Sequence, residues 1–481
     1  MLMTNPPLIP LLRPEDRFGL ASTDLHRILG WALSSGGDFA EIFLEYREYH
    51  SVHMEDDIIK DTAESFSLGL GIRVWSGEKT GYAYTNDSSL ERIRKTALAA
   101  AAVAASTARI AAIDLRRRES GADVYRVVEP SHLAPIETKV RLVQDAYAAC
   151  LAFSPAVTKV KATFQDMIQL VTIADSEGVL VSDARPLVKL SCVGIAEKGS
   201  VREYGFSGGG GRVGIEYFSR DQTPATIGRE AAREAMDLLD ARDAPAGEMP
   251  VVLAPGHAGV LIHEAVGHLL EADFNRRKTS VFWNKSGKKI GSPCVTIFDD
   301  PTIPAFRGSY AVDDEGTVPA KTLLIEKGVI RGLLQDKLSA RLMGKTPTGH
   351  GRRQDYTDFP IPRMANTYID RGEDDPGEIL RSVKKGFYAE RFTGGQVEDS
   401  GKFTFSVSSG YLIEDGRLTA PVKQATLIGS NLDILNKIER VGSDLAFGLP
   451  TGTCSKEGQD VPVMDGCPTI KISAMTVGGN E

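Results

Sequence analysis

The chain has 481 residues, 42% of them hydrophobic and 25% charged, with a formal net charge of −8. That is a globular composition, and the length exceeds what one typical core organises, so two domains are expected. The acidic balance, without any Lys/Arg run, argues against a nucleic-acid partner, and no stretch approaches the roughly 20 uninterrupted apolar residues of a membrane span.

In chain order, residues 24–34 read as a short helix and 39–49 as a strand. Residues 66–85 read as a hairpin turning at Ser76-Gly-Glu-Lys79. The alanine-rich stretches 90–109 and 136–153 read as helices, and 157–196 as strands joined at Asp175-Ser-Glu-Gly178. The run Gly205-Phe-Ser-Gly-Gly-Gly-Gly211 lacks the Lys-Ser/Thr end of a phosphate loop and reads as a mobile loop or β-turn. Residues 227–239 read as a helix. The Pro- and Gly-bearing stretch 240–250 reads as a linker, which divides the chain into 1–240 and 241–481. Beyond it, strand-like runs at 251–254, 295–298, 321–326, 404–408 and 410–413 alternate with Gly-containing turns at 326–328 and 414–416. There is no sustained βαβ alternation. The expected class is α+β: N-terminal helices with antiparallel strands, then a β-rich C-terminal domain carrying a metal-binding helix.

That helix is read from His263-Glu-Ala-Val-Gly-His268, which follows the apolar run Val260-Leu-Ile262 in a chain with only 8 His. Imidazole is the commonest metal ligand, and a carboxylate beside a metal-bound water is the working part of a hydrolase. The spacing carries a structural demand. Five residues at about 100° each leave the two imidazoles roughly 140° apart on a regular α-helix, too far to share an ion. A π-bulge, or a bend at Gly267, would bring them together, so a distorted helix is expected between His263 and His268. Glu264 suits a general base better than a ligand. A third ligand must then come from elsewhere, and five Cys are available. Cys454 lies in a polar loop with Gly on both sides, Leu449-Pro-Thr-Gly-Thr-Cys454-Ser-Lys-Glu-Gly458. Cys150, Cys192 and Cys294 read as small buried hydrophobes, and Cys467 is intermediate.

The motif and the following Glu271-Ala-Asp-Phe-Asn275-Arg resemble the core of the TldD/PmbA metallopeptidases. The resemblance runs on through Val312-Asp-Asp-Glu-Gly316, Leu334-Gln-Asp-Lys337, Pro347-Thr-Gly-His-Gly-Arg-Arg353, Pro362-Arg-Met-Ala-Asn366, Gly452-Thr-Cys454 and Met475-Thr-Val-Gly-Gly479. Order and length resemble the TldD branch, since the PmbA (TldE) branch lacks the His/Glu motif. The resemblance implies zinc held by His263, His268 and Cys454, with Glu264 as the catalytic base. It also implies hydrolysis of unfolded peptides or protein segments, including peptide precursor maturation, and a PmbA/TldE-like paralogue as heterodimer partner. Ser455 and Met464-Asp465-Gly-Cys467 depart from the family pattern, and neither is expected to touch a ligand.

His350, Arg352 and Arg353 are candidate oxyanion donors, with a solvated basic loop the preferred reading. Asp313-Asp314-Glu315 reads equally well as a surface turn. Two other functions fit the motif: a metal-dependent small-molecule amidase, and a non-catalytic protein with a structural zinc. An odd number of Cys without framework spacing, and a start with no secretory pattern, point to the cytoplasm.

Overall fold

Long, mainly antiparallel strands build the first sheet. The structure is a computed structural model and describes residues 13–479 other than 109, 122 and 399. Seven strands, β1 (Phe39–Glu55), β2 (Ile58–Ser76), β3 (Lys79–Thr85), β4 (Arg116–Arg118), β5 (Val157–Asp175), β6 (Val179–Lys198) and β7 (Val201–Gly211), form one sheet. Its order is β3-β2-β1-β5-β6-β4, with β7 also on β6, and every pairing except β4–β6 is antiparallel. Helices Ser22–Ala32 and Leu90–Val103 bury Leu25, Ile28, Ile93 and Ala97 against one part of the sheet. Helices Ile136–Leu151 and Pro224–Leu239 bury Val143, Tyr147, Ile227 and Ala231 against another.

These elements follow the sequence expectation in type and order. The alanine-rich helix ends at Val103, short of the expected end, which lies outside the described residues.

The glycine run is a correction. It is neither a mobile loop nor a turn but the C-terminal part of β7, paired with β6 from Val188↔Gly211 to Lys198↔Val201. A side chain there would collide with close neighbours. A Cβ on Gly205 would lie 2.2 Å from the Ala231 carbonyl oxygen, and one on Gly211 would lie 2.4 Å from that of Ala305. Glycine in this strand thus marks close backbone approach.

The remaining sheets come from residues 242–478. In the larger, strands Ile470–Gly478, Gly247–Leu253, Lys385–Val397, Lys402–Glu414 and Arg417–Ser430 pair in turn, and the last returns to the first. A second sheet contains Ile297–Asp299, Asn366–Ile369 and Met464–Cys467. The fold class is therefore α+β, as expected. Leu261, Ile262, Ala265, Val266 and Leu270 share a core with Val251, Leu253, Phe387, Phe403 and Phe405. That core anchors the segment carrying His263 and His268. No helix among the described residues is long and apolar enough to cross a membrane.

The first sheet meets the C-terminal half through buried ion pairs. Arg73 bonds Glu41 at 2.9 Å and Glu315 at 2.5 Å, Arg353 bonds Glu41 at 2.6 Å, and Arg185 bonds Asp314 at 2.5 Å. Asp313, Asp314 and Glu315 are thus buried in this seam rather than on a surface turn. Asp314 and Glu315 pair with arginines from strands far away in sequence, whereas Asp313 accepts from backbone amides.

Candidate metal centre

The chain enters the site through Gly256, whose φ of 89° favours glycine. A short α-helical segment, Val260–Ile262, is followed by a π-helical turn at His263–Gly267 and a 3-10 turn at His268–Leu270. This is the distortion that the five-residue spacing demands. It places the two imidazole rings 5.2 Å apart between centroids, instead of on diverging faces.

Cys454 arrives on a separate hairpin, Thr453–Lys456 paired with Gln459–Pro462, turning at Glu457 and Gly458 with φ of 50° and 78°. Two long-range contacts register that hairpin on the site. The buried Arg363 donates to the carbonyls of Cys454 and Gln459 at 2.6 and 3.0 Å, tying both strands together. Lys456 pairs with Glu271 at 2.9 Å and Asp273 at 2.8 Å, just beyond the histidine segment.

His263, His268 and Cys454 are all buried, and their ligand atoms lie within 4.8 Å of one another. Each imidazole has one nitrogen committed. His263 Nδ1 bonds Asp465 at 2.7 Å, and His268 Nδ1 bonds Glu271 at 3.0 Å. The Nε2 atom of His268 sits 3.4 Å from Cys454 Sγ. A tetrahedral ion with bonds of about 2.3 Å to sulfur and about 2.0 Å to nitrogen sets such atoms roughly 3.5 Å apart. Carboxylates behind the histidines are the usual support of metal-ligating imidazoles. The three residues therefore fit a divalent metal that accepts mixed N and S donors.

The electrostatics agree. Burial alone would raise the Cys454 thiol, but the two imidazoles beside it pull it well below its ordinary value, which favours thiolate. Glu271, fully buried, is driven down to about 2; burial opposes this, and Lys456 and His268 outweigh it. It is a fixed negative partner for His268.

Glu264 differs from the other three residues. Its carboxylate lies 3.7 Å from His268 Nε2 and is partly exposed. Glu264 and His268 line an open cavity of about 500 Å³, with Gly394, Gly395, Gln396 and Val397 on its wall. Burial raises its pKa above the usual carboxylate range, the direction that suits a proton acceptor near neutral pH.

Two sequence readings need correction here. Asp465, in the stretch that departs from the family pattern, does touch a candidate ligand. His350, Arg352 and Arg353 are buried and not in a solvated basic loop. His350 Nε2 faces Asp299 at 3.0 Å, and Arg352 donates to the carbonyls of Met364 and Pro462. None of the three lines the Glu264 cavity. The supporting Glu271 and Asp465 were not singled out from the sequence. Glu271 sits three residues after His268, a spacing that places a carboxylate beside the ring; Asp465 has no local signal.

Models of the PmbA/TldA metallopeptidase family match three segments: domain 1 at residues 40–104, the central domain at 129–239 and the C-terminal domain at 246–479. The Haemophilus influenzae metalloprotease TldD homolog is 42% identical over 450 residues, which cover 92% of this chain and 93% of the relative. The chain belongs to the PmbA/TldD metallopeptidase family. Another relative, the zinc metalloprotease TldD homolog of Saccharolobus solfataricus, is 35% identical over 235 residues, 49% of this chain and 52% of its own. Among solved structures, TldE from Thermococcus kodakarensis superposes with a TM-score of 0.74 at 17% identity, covering 95% of this chain and all (100%) of that one. That likeness concerns the fold, which this PmbA/TldD family chain shares with TldE along nearly its whole length.

Proposed function

We propose that this chain is a zinc-dependent peptidase that hydrolyses unfolded peptides, with His263, His268 and Cys454 as ligands and Glu264 as general base. The observation that carries the reading is the convergence of three buried, pre-oriented donors beside a carboxylate that opens onto a cavity. A structural zinc site has four protein ligands, and the candidate group among the described residues has three. When bound, zinc supplies Lewis acidity and makes a neighbouring water easier to deprotonate. Glu264 takes up that proton and returns it to the leaving amine. Asp465 and Glu271 hold the imidazoles in the tautomer that keeps Nε2 free to ligate.

The peptide preference rests on a strand edge. Strand Lys385–Val397 pairs with Gly247–Leu253 only at Phe387–Ala389, so among the described residues its outer edge at Gly394–Val397 has no strand partner. That edge borders the same cavity as Glu264. An extended peptide pairing there is read through its backbone, which favours unfolded substrates with loose sequence preference, precursor peptides among them. A small-molecule amidase has no use for such an edge. We further read the chain as the catalytic subunit of a heterodimer with a PmbA/TldE-like paralogue. All five cysteines are free, and the site needs a reduced Cys454, which fits the cytoplasm.

The test is metal content beside hydrolysis of an unstructured peptide, for wild type and Glu264→Gln, with and without the paralogue. One zinc per chain in both forms, with activity reduced about 10²–10⁴-fold in the variant, is the expected result. Equal cleavage by both forms would remove Glu264 from the mechanism. Zinc without cleavage under any condition would remove the peptidase reading.

A further inference from the structure

A second cavity, of about 340 Å³, lies between the first sheet and the C-terminal half, and six arginines line it. Three of them are neutralised: Arg47 by Glu45, Arg185 by Asp183 and Asp314, and Arg353 by Glu41. The other three, Arg212, Arg307 and Arg352, are buried and pair with no carboxylate among the described residues. Arg212 spends its hydrogen bonds on the carbonyls of Ser309 and Pro186, and Arg352 on those of Met364 and Pro462. Arg307 spends only Nε, on Gly452, and leaves its terminal nitrogens free.

Three carboxylates line the same wall, and Asp460, which accepts from the Ser455 hydroxyl, pairs with none of the arginines. Asp314 accepts from Arg185 and the Arg353 backbone, and Asp313 accepts from the backbone of Glu315, Thr317 and Gly351. Burial, then mutual repulsion, brings Arg307 down to about 10. Burial also pulls Arg212 down to about 9, with the neighbouring guanidiniums adding to it and Tyr125 opposing it. A guanidinium does not shed its proton in proteins, so three uncompensated charges around one cavity are relieved by an anion.

The cavity adjoins the metal centre. Thr453, next to Cys454, borders both this cavity and the one lined by Glu264 and His268. We infer that the arginine cavity holds a carboxylate of the bound peptide, from an acidic side chain or the C-terminus, on Arg212, Arg307 and Arg352. Guanidinium forks match carboxylate geometry, and the cavity volume, at the small end for ligand sites, suits one side chain or chain end. The inference rests on the peptidase reading for the identity of its ligand. Substrates that span both cavities would thereby be selected for a negative charge at a fixed distance from the cleaved bond.

The experiment compares three peptides of one unstructured sequence on the full-length chain carrying Glu264→Gln. One has a Glu and an amidated end, one a Gln and an amidated end, and one a Gln and a free C-terminal carboxylate. Fluorescence anisotropy reads the affinities, and mass spectrometry reads hydrolysis of the same peptides by the chain with Glu264 intact. One of the two carboxylate peptides is expected to bind about tenfold tighter than the uncharged one, and whichever it is identifies the source of the carboxylate. Adding Arg307→Met is expected to bring the ratio within about twofold. If that variant loses its thermal transition, Arg307→Lys, which keeps charge but not the fork, is used and should weaken the preference. Equal affinities for all three peptides, or a preference that survives loss of the fork, overturns the proposal. So does arginine-dependent binding of inorganic phosphate with no peptide preference. A binding preference without hydrolysis removes the peptidase reading and leaves the anion site; hydrolysis without a binding preference does the reverse.

Discussion

Each candidate ligand histidine is held from behind by a carboxylate, so its tautomer is set by Asp465 or Glu271 before any ion arrives. The two supports are not equivalent. Glu271 is fully buried and also pairs with Lys456, so its loss would leave that buried cation with Asp273 as its one carboxylate partner. Asp465 is partly exposed and makes one ion pair, with His263. Asp465→Asn is therefore the cleaner probe: it keeps the shape and removes the charge. Zinc affinity, measured by competition with a chromogenic chelator, is expected to fall about 10–100-fold while the thermal transition of the metal-free chain stays near wild type. Unchanged affinity would mean that the Asp465 contact does not orient the ring. The candidate ligands were open to sequence reasoning because the motif is local and the Cys lies in a recognisable segment. Asp465 was not, since 202 residues separate it from His263 and only the fold joins them.

At the scale of elements, the π-turn was legible because its cause is local: a five-residue spacing cannot converge on a regular α-helix. What the turn packs against was not. Gly259, at the start of this segment, lies so close to strand Met464–Cys467 that an added Cβ would be 2.6–2.8 Å from the backbone of Gly466. The obstacle is backbone, which cannot swing aside as a side chain would. Gly259→Ala is expected to cost about 1–3 kcal/mol in chemical denaturation, by overpacking. It should also weaken zinc binding, because the displaced strand carries Asp465. A variant with wild-type stability and affinity would show that the strand gives way freely. The glycine strand β7 was misread for a related reason. Its residues lack the alternation of a strand because the close approach of Ala231 and Ala305 leaves no room for side chains, and no pattern in the run itself reports its neighbours.

Across the whole molecule, the first sheet and the C-terminal half are joined by charges that a sequence cannot place inside. Asp313, Asp314 and Glu315 fit a surface turn equally well by sequence; in the fold Arg73 reaches Glu315 and Arg185 reaches Asp314 from strands more than a hundred residues away, and Asp313 accepts from backbone amides. The compensation is incomplete. Glu315 is raised from 4.5 to about 8: burial contributes most, Arg73 opposes it, and Asp336, Asp313 and Glu41 add to it. Asp313 is raised from 3.8 to about 6, chiefly by burial. Both folded values exceed the unfolded ones, so the folded chain holds protons that the unfolded chain has released. The stabilisation is complete below the unfolded values and is lost as pH rises through about 6 for Asp313 and about 8 for Glu315. Stability should thus decline from mildly acidic to mildly alkaline pH, by up to about 1.4 kcal/mol per pH unit for each proton involved. Urea unfolding at pH 6, 7 and 8 checks the sign. Glu315→Gln keeps an uncharged group beside Arg73 and the Lys337 amide, and is expected to flatten the profile between pH 6 and 8. A wild-type profile that is flat over this range would mean Glu315 is ionised in the fold, with Arg73 outweighing burial. A fall that Glu315→Gln leaves untouched would place the titrating group elsewhere in the seam.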